Sequence, residues 1–181
     1  MRIIAGTLKG RRLASPRWPG IRPTSDELRE RLFNILAPRL ADASVLDAYA
    51  GTGAIGIEAL SRGAAHVTFV EADRRAEALI LENLARCGIT DRYAIIRERV
   101  SSAFLTLRAR RFDLVVLDPP YDQEAAADVA GAASLVARDG LLVLEHARRR
   151  QAPEAAGRLL RTREVRAGSS ALTFYQALPE R

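Results

Sequence analysis

Between Ser44 and His146 short runs of Val, Leu and Ile alternate with longer amphipathic stretches, and few folds accept that pattern. The apolar runs predict strands at 44–47, 66–71, 93–97, 112–117 and 140–146. Helices are predicted between them at 55–62, 74–87, 102–110 and 124–137. Strand and helix in strict alternation imply an α/β fold, a parallel sheet with helices on both faces. A helix over 25–36, with Ser25 as its cap, is expected before the first strand. A short helix at 153–158 and strands near 160–167 and 171–177 are expected after the fifth. The last two strands, parted by Gly168-Ser169-Ser170, predict a hairpin that places one antiparallel strand in a mostly parallel seven-stranded sheet. A chain of 181 residues that is 48% hydrophobic can bury one core of this kind.

The first strand runs into Val45-Leu46-Asp47-Ala48-Tyr49-Ala50-Gly51-Thr52-Gly53-Ala54-Ile55-Gly56, a glycine-rich turn that opens a helix. Such a turn presents backbone amides to a ligand. Gly51, Gly53 and Gly56 satisfy the dinucleotide fingerprint, and Glu71 lies at the end of the second strand, where a carboxylate can hold ribose hydroxyls. Taken alone, this reading admits NAD. However, the apolar strand stops at Asp47, four residues before the first glycine. A carboxylate there suits a ligand with a positive amino group and a ribose better than one with two phosphates. S-adenosylmethionine is such a ligand.

The second motif is Asp118-Pro119-Pro120-Tyr121, which follows the apolar run Phe112–Leu117. In open α/β sheets ligands gather beyond the carboxyl ends of strands. Asp118 and the Pro119 carbonyl can accept both hydrogens of a flat exocyclic amine, and Tyr121 offers a face on which a base can stack. The prolines stiffen the loop and donate no backbone hydrogen. Alone, the tetrapeptide is also an ordinary turn after a strand. Its position downstream of the glycine turn favours methyl transfer, because it has no evident part in hydride transfer.

These two motifs resemble those of class I S-adenosylmethionine-dependent methyltransferases that act on exocyclic amines. The resemblance narrows to the RsmD family, bacterial 16S rRNA guanine-N2 methyltransferases. Met1 to Gly6, Lys9-Gly10-Arg11-Arg12-Leu13, Arg22-Pro23-Thr24-Ser25-Asp26, Arg29-Glu30 and Leu32–Leu36 carry it at the amino end. Asp47 through Gly63, Glu71, Asn83-Leu84, Asp118 through Tyr121 and Glu145-His146 continue it. The resemblance implies a Rossmann-like catalytic domain over 23–181 and S-adenosylmethionine as cofactor. It assigns the cofactor to Asp47, Tyr49, Gly51, Gly53, Glu71 and Ala72, with Arg22, Thr24 and Ser101 closing the site. It assigns the guanine to Asp118, Pro119, Pro120 and Tyr121, and implies a substrate in an assembled or partly assembled small ribosomal subunit. Relatives often carry an acidic residue after the third strand for the adenine amino group. Here Arg97-Glu98-Arg99-Val100-Ser101-Ser102 puts no carboxylate at that place, so Ser101, Ser102 or a backbone carbonyl must serve.

The net charge of +6 has one source. Residues 1–22 hold Arg2, Lys9, Arg11, Arg12, Arg17 and Arg22 with no acidic residue, and the rest of the chain carries 22 basic and 22 acidic side chains. A basic β-hairpin arm that binds RNA phosphates is therefore expected over 1–22, with Trp18 able to stack on a base or on its own domain. Cys87 is alone, which excludes an internal disulfide, and no metal cluster is visible. No apolar stretch reaches membrane-spanning length, so a cytoplasmic monomer is expected. Two other readings share these motifs: an adenine-N6 or cytosine-N4 DNA methyltransferase, and a non-catalytic RNA-binding assembly factor.

Overall fold

The computed structural model describes residues 1–18, 26–120 and 125–177. Arg22, Pro23, Thr24, Ser25 and Tyr121 lie outside the described residues. In chain order the elements are α1 (Asp26–Leu36), β1 (Ser44–Ala48), α2 (Ala54–Ser61), β2 (His66–Val70), α3 (Arg74–Cys87), β3 (Tyr93–Ile96) and α4 (Val100–Thr106). Then follow β4 (Phe112–Leu117), α5 (Ala125–Ala132), β5 (Val136–Ala147), β6 (Ala155–Ala156), β7 (Leu159–Ala167) and β8 (Ser170–Ala177). They build one sheet in the order β3-β2-β1-β4-β5-β8-β7-β6. The first five strands are mutually parallel, and β8 enters antiparallel against β5.

The alternation of β4 decides which helices lie on which face. Leu114 and Val116 join a core with α1, α2 and α3 residues such as Leu32, Ile57 and Ile80. Val115 and Leu117 join a second core with Phe104 of α4 and Val129 of α5. A strand buried on both faces must be apolar throughout, as this one is except at Asp113.

Two expectations are corrected. The sheet has eight strands, because Ala155-Ala156 pairs with Leu160 and Leu159 instead of starting the helix expected at 153–158. Gly157, at φ +59, makes the two-residue turn, and a helix this short cannot repay its nucleation cost. Second, β5 begins at Val136, not 140, with a register shift against β4. Gly140 permits it, since a Cβ there would lie 3.0 Å from the Phe112 carbonyl oxygen. The amino-terminal residues form a short antiparallel turn: Arg2 bridges Arg12, the Ile3 amide donates to the Arg11 carbonyl and the Leu13 amide to the Met1 carbonyl. Ile3 and Leu13 are buried in the same core as α1 and α2.

The polar groups of this segment are taken up by α2. Buried Glu58 accepts hydrogen bonds from the amides of Ile4 (2.7 Å) and Ala5 (2.9 Å) and from Arg62 Nε (2.8 Å). The Ser61 carbonyl accepts from the Thr7 amide at 2.8 Å, and Ser61 Oγ accepts from the Leu8 amide at 3.0 Å. Gly6 lies so close that a Cβ would fall 2.0 Å from the Ser61 carbonyl oxygen, so only glycine fits. Removing Glu58 strands two amides and a cation at once. Glu58→Ala is expected to lower stability by roughly 3–5 kcal/mol. Urea unfolding measures that loss, and amide exchange should show Ile4 and Ala5 losing protection ahead of the sheet.

Candidate active site

Asp47 stands in the middle of the sheet, paired in register with Phe69 of β2 and Val116 of β4, and is 1% exposed. Its Oδ2 accepts the Gly56 amide at 2.9 Å, which pins the first turn of α2 to the end of β1. Tyr49 (φ +66), Gly51 (φ +55) and Gly53 (φ +75) carry the chain between them through the left-handed region. Gly56 serves packing: a Cβ there would lie 2.2 Å from the Phe69 ring. Glu71, just past β2, accepts the Gly51 amide and the Asp73 amide, both at 2.9 Å, so it braces the glycine loop. Exposed Ala72 separates it from Asp73, the cap of α3. Burial, and secondarily the nearby charge of Glu71, pushes the Asp47 carboxyl from its ordinary 3.8 up to about 7, against the lowering effect of the Gly56 amide.

The acceptor motif is one strand away. Asp118 follows Leu117, which pairs with Ala48, and the Asp118 amide donates to the Ala48 carbonyl at 3.4 Å. Pro119 and Pro120 line a cleft of about 570 Å³ together with Glu145, His146 and the turn that ends in Pro153. His146 Nε2 lies 2.8 Å from Thr173 Oγ1 and its Nδ1 lies 3.1 Å from the Ala147 carbonyl oxygen. Both nitrogens are satisfied if Nδ1 carries the proton, so its role is to hold the end of β5. Tyr49 reaches the other face, where its hydroxyl donates to Asp128 Oδ2 of α5 at 2.9 Å. Burial raises the Asp128 carboxyl, and the Tyr49 hydroxyl partly offsets that.

A match to the family described as Conserved hypothetical protein 95 runs over residues 1–176. Ribosomal RNA small subunit methyltransferase D of Escherichia coli (strain K12) is 36% identical over 179 residues, which cover 97% of this chain and 89% of its own. YlbH of Bacillus subtilis (strain 168) is 34% identical over 181 residues, 97% of this chain and 98% of its own. The solved structure of yhhF from Escherichia coli has a TM-score of 0.86 at 31% identity and covers 99% of both chains. The chain belongs to this RsmD-type methyltransferase family.

The methyl donor of RsmD-type and other class I methyltransferases is S-adenosylmethionine. The residues present fit it. Burial and the charge of Glu71 disfavour the ionised form of Asp47, so a cationic ligand bound beside it would favour the carboxylate. Backbone freed of side chains at Gly51 and Gly53 lets that ligand approach.

The structure also places the other predicted residues it describes. Ser101 is exposed in the first turn of α4, and Glu98 is engaged by Thr106 Oγ1 at 3.1 Å. Trp18 lies under the Arg75 guanidinium, 5.2 Å from the ring centroid, which gives that face to its own domain. Arg2, Lys9, Arg11, Arg12 and Arg17 are exposed.

Two supports escaped the sequence reading of roles. Fully buried Asn83 donates to the Thr52 carbonyl at 2.9 Å while its Oδ1 accepts the Ala14 amide at 2.7 Å, so it ties the glycine loop to the amino-terminal segment. An asparagine on the apolar face of a helix was the available signal. Asp128 gave a similar one, an acid inside an alanine-rich helix.

The raised Asp47 carboxyl fixes a pH dependence. The folded chain keeps a proton that the unfolded chain releases above about pH 4, so this group's contribution to stability falls as pH rises toward 7. Asp47→Asn, which keeps the acceptor for the Gly56 amide, should gain on the wild type between pH 4.5 and 8 by on the order of 2–4 kcal/mol. Thermal unfolding at the two pH values checks this. In calorimetric titration, S-adenosylmethionine affinity should rise with pH through 7 in the wild type and stay flat and weaker in the variant.

Proposed function

We propose that this chain methylates the N2 amine of a guanine in 16S rRNA, as a monomer acting on an assembled or partly assembled small subunit. The observation that carries this is the hydrogen bond from the Asp118 amide to the Ala48 carbonyl, which seats the acceptor motif directly beside the glycine loop. Two neighbouring parallel strands are about 4.8 Å apart, so an amine held at Asp118 lies within reach of a ligand in the loop.

Bound S-adenosylmethionine supplies an electrophilic methyl on a sulfonium. The protein's part is alignment. Asp118 and the Pro119 carbonyl accept the two amino hydrogens and draw the nitrogen lone pair out of conjugation with the ring. Tyr121 stacks on the base. An amine held in this way would lie in line for the methyl that the bound cofactor supplies, and the proton it then loses would pass to Asp118 or to solvent. Orientation of this kind removes much of the barrier without a strong base.

Guanine is favoured over adenine by a second carboxylate. Leu117 pairs with Leu144, so Asp118 and Glu145 are neighbouring residues at the ends of β4 and β5, and Glu145 is buried at the wall of the cleft. The guanine edge offers N1–H beside its amine, three donors for acceptors to meet, whereas adenine turns the lone pair of N1 toward the same carboxylate.

Labelled methyl transfer to small subunits from cells lacking the protein, compared with naked 16S rRNA and DNA, tests the reading. N2-methylguanine in rRNA is expected, with kcat/KM lowered about 100-fold or more by Asp118→Ala. Label on DNA, or on adenine, would overturn it. Glu145→Gln should narrow the preference for guanine over adenine oligonucleotides by roughly 10-fold.

A further inference from the structure

Outside residues 1–22 the sequence balances its charges, but the fold does not. Arg148, Arg149 and Arg150, which follow β5, meet Arg161 and Arg166 of β7 around a hollow of about 420 Å³. Glu154 and Glu164 line it too, yet each is already committed, Glu154 to Arg161 at 3.4 Å and Glu164 to Arg166 at 2.6 Å. Arg148 and Arg149 are exposed, and among the described residues neither has a carboxylate partner. The turn that bears them is held in place. The Arg148 amide donates to the Ser169 carbonyl at 2.8 Å, and the Arg150 amide to the Ala147 carbonyl at 2.9 Å. Two exposed guanidiniums on a fixed turn present a positive potential that an anion can meet.

We propose that this hollow is a second RNA site, which takes phosphodiester groups of the strand flanking the base in the acceptor cleft. The proposal rests on the RNA-methylating reading above and adds to it the place where the substrate backbone lies. Arg150, Gln151, Ala152 and Glu154 line both the hollow and the cleft, so one wall separates them. A base inserted into the cleft leaves its own phosphates at the rim. Planar guanidinium forks match phosphate oxygens in pairs, and unlike an ammonium they give up hydration readily. The sheet order sets a path for the strand. The exposed basic side chains of residues 1–18 ride on a segment held by α2 and Asn83 of α3, beside β1 and β2, whereas this turn closes β5. Strand β4, which delivers Asp118, lies between the two. RNA that crosses the carboxyl edge of the sheet over Asp118 therefore meets cations on both sides.

The full chain carrying Arg148→Ala and Arg149→Ala tests the site, with unchanged S-adenosylmethionine affinity and melting temperature as the control for folding. KM for rRNA should rise about 10-fold with kcat within about twofold, and the slope of log affinity against log salt should become shallower by about 1.5–2. The pair Arg148→Lys and Arg149→Lys should restore the slope and only part of the affinity. Unchanged KM and slope, with the wild type active on the same RNA, would overturn the site alone. A KM effect on subunits that vanishes on naked rRNA would assign the turn to a ribosomal protein and also overturn it. If the wild type binds RNA with the arginine-dependent slope but transfers no methyl, the phosphate site stands and the methylation reading falls.

Discussion

Glu58 is the one acid of α2, and no solvent reaches it, so its charge must be met entirely by the protein. Two backbone amides of the amino-terminal segment and Arg62 meet it. Arg62 in turn lies 4.9 Å above the Phe33 ring of α1. The buried Arg29 of α1 donates to the Arg2 carbonyl at 2.7 Å and to Asp26 at 2.9 Å. Residues 1–14, α1 and α2 are thus welded by charges that water cannot replace. Because α2 starts at Gly53 and Asn83 links Thr52 to Ala14, the same weld fixes the loop that would cradle the cofactor. The segment that carries the basic side chains and the loop that carries the methyl donor are therefore one mechanical unit.

The site itself works in the opposite sense, by leaving a charge problem unsolved. Asp47 receives one amide and Glu71 receives two, but no cation among the described residues pairs with either. The result is a carboxyl whose proton is lost only near neutrality. Burial first, and the charge of Glu71 after it, penalise the ionised empty state, so a positive ligand would favour the Asp47 carboxylate. A phosphate-bearing dinucleotide would instead bring further negative charge beside Asp47 and Glu71. That physical contrast separates the methyl donor from NAD more sharply than the glycine spacing, which both ligands share.

Much of this was legible along the chain. The parallel core was, because strands buried on both faces must be continuously apolar, and Asp47, the glycines and Asp118 fell where strand ends require them. The β6 hairpin was not, because Ala155 and Ala156 have no strand propensity and only the turn at Gly157 makes them pair. The start of β5 was hidden by a bulge that depends on what Gly140 touches, a tertiary fact. Glu145 could be read as part of a family pattern, but its place beside Asp118 follows only from the register of β4 with β5. That the Tyr49 hydroxyl reaches Asp128 follows only from the packing of α5 against the end of β1.

Charge was the least legible property, and the reason is general. A count along the sequence sums over a contour, while an RNA backbone responds to potential over a surface within about 10 Å. Residues 148–150 are neighbours in sequence, but Arg161 and Arg166 meet them around one hollow from across β8, which lies between β5 and β7. That antiparallel insertion is often treated as a structural mark of the fold. Here it also sets the electrostatics, since a β7 placed directly beside β5 would carry its arginines one strand spacing closer to the turn and leave no hollow between them. The order β5-β8-β7 therefore sets how far Arg161 and Arg166 stand from the turn after β5, and with it the width of the basic hollow between them.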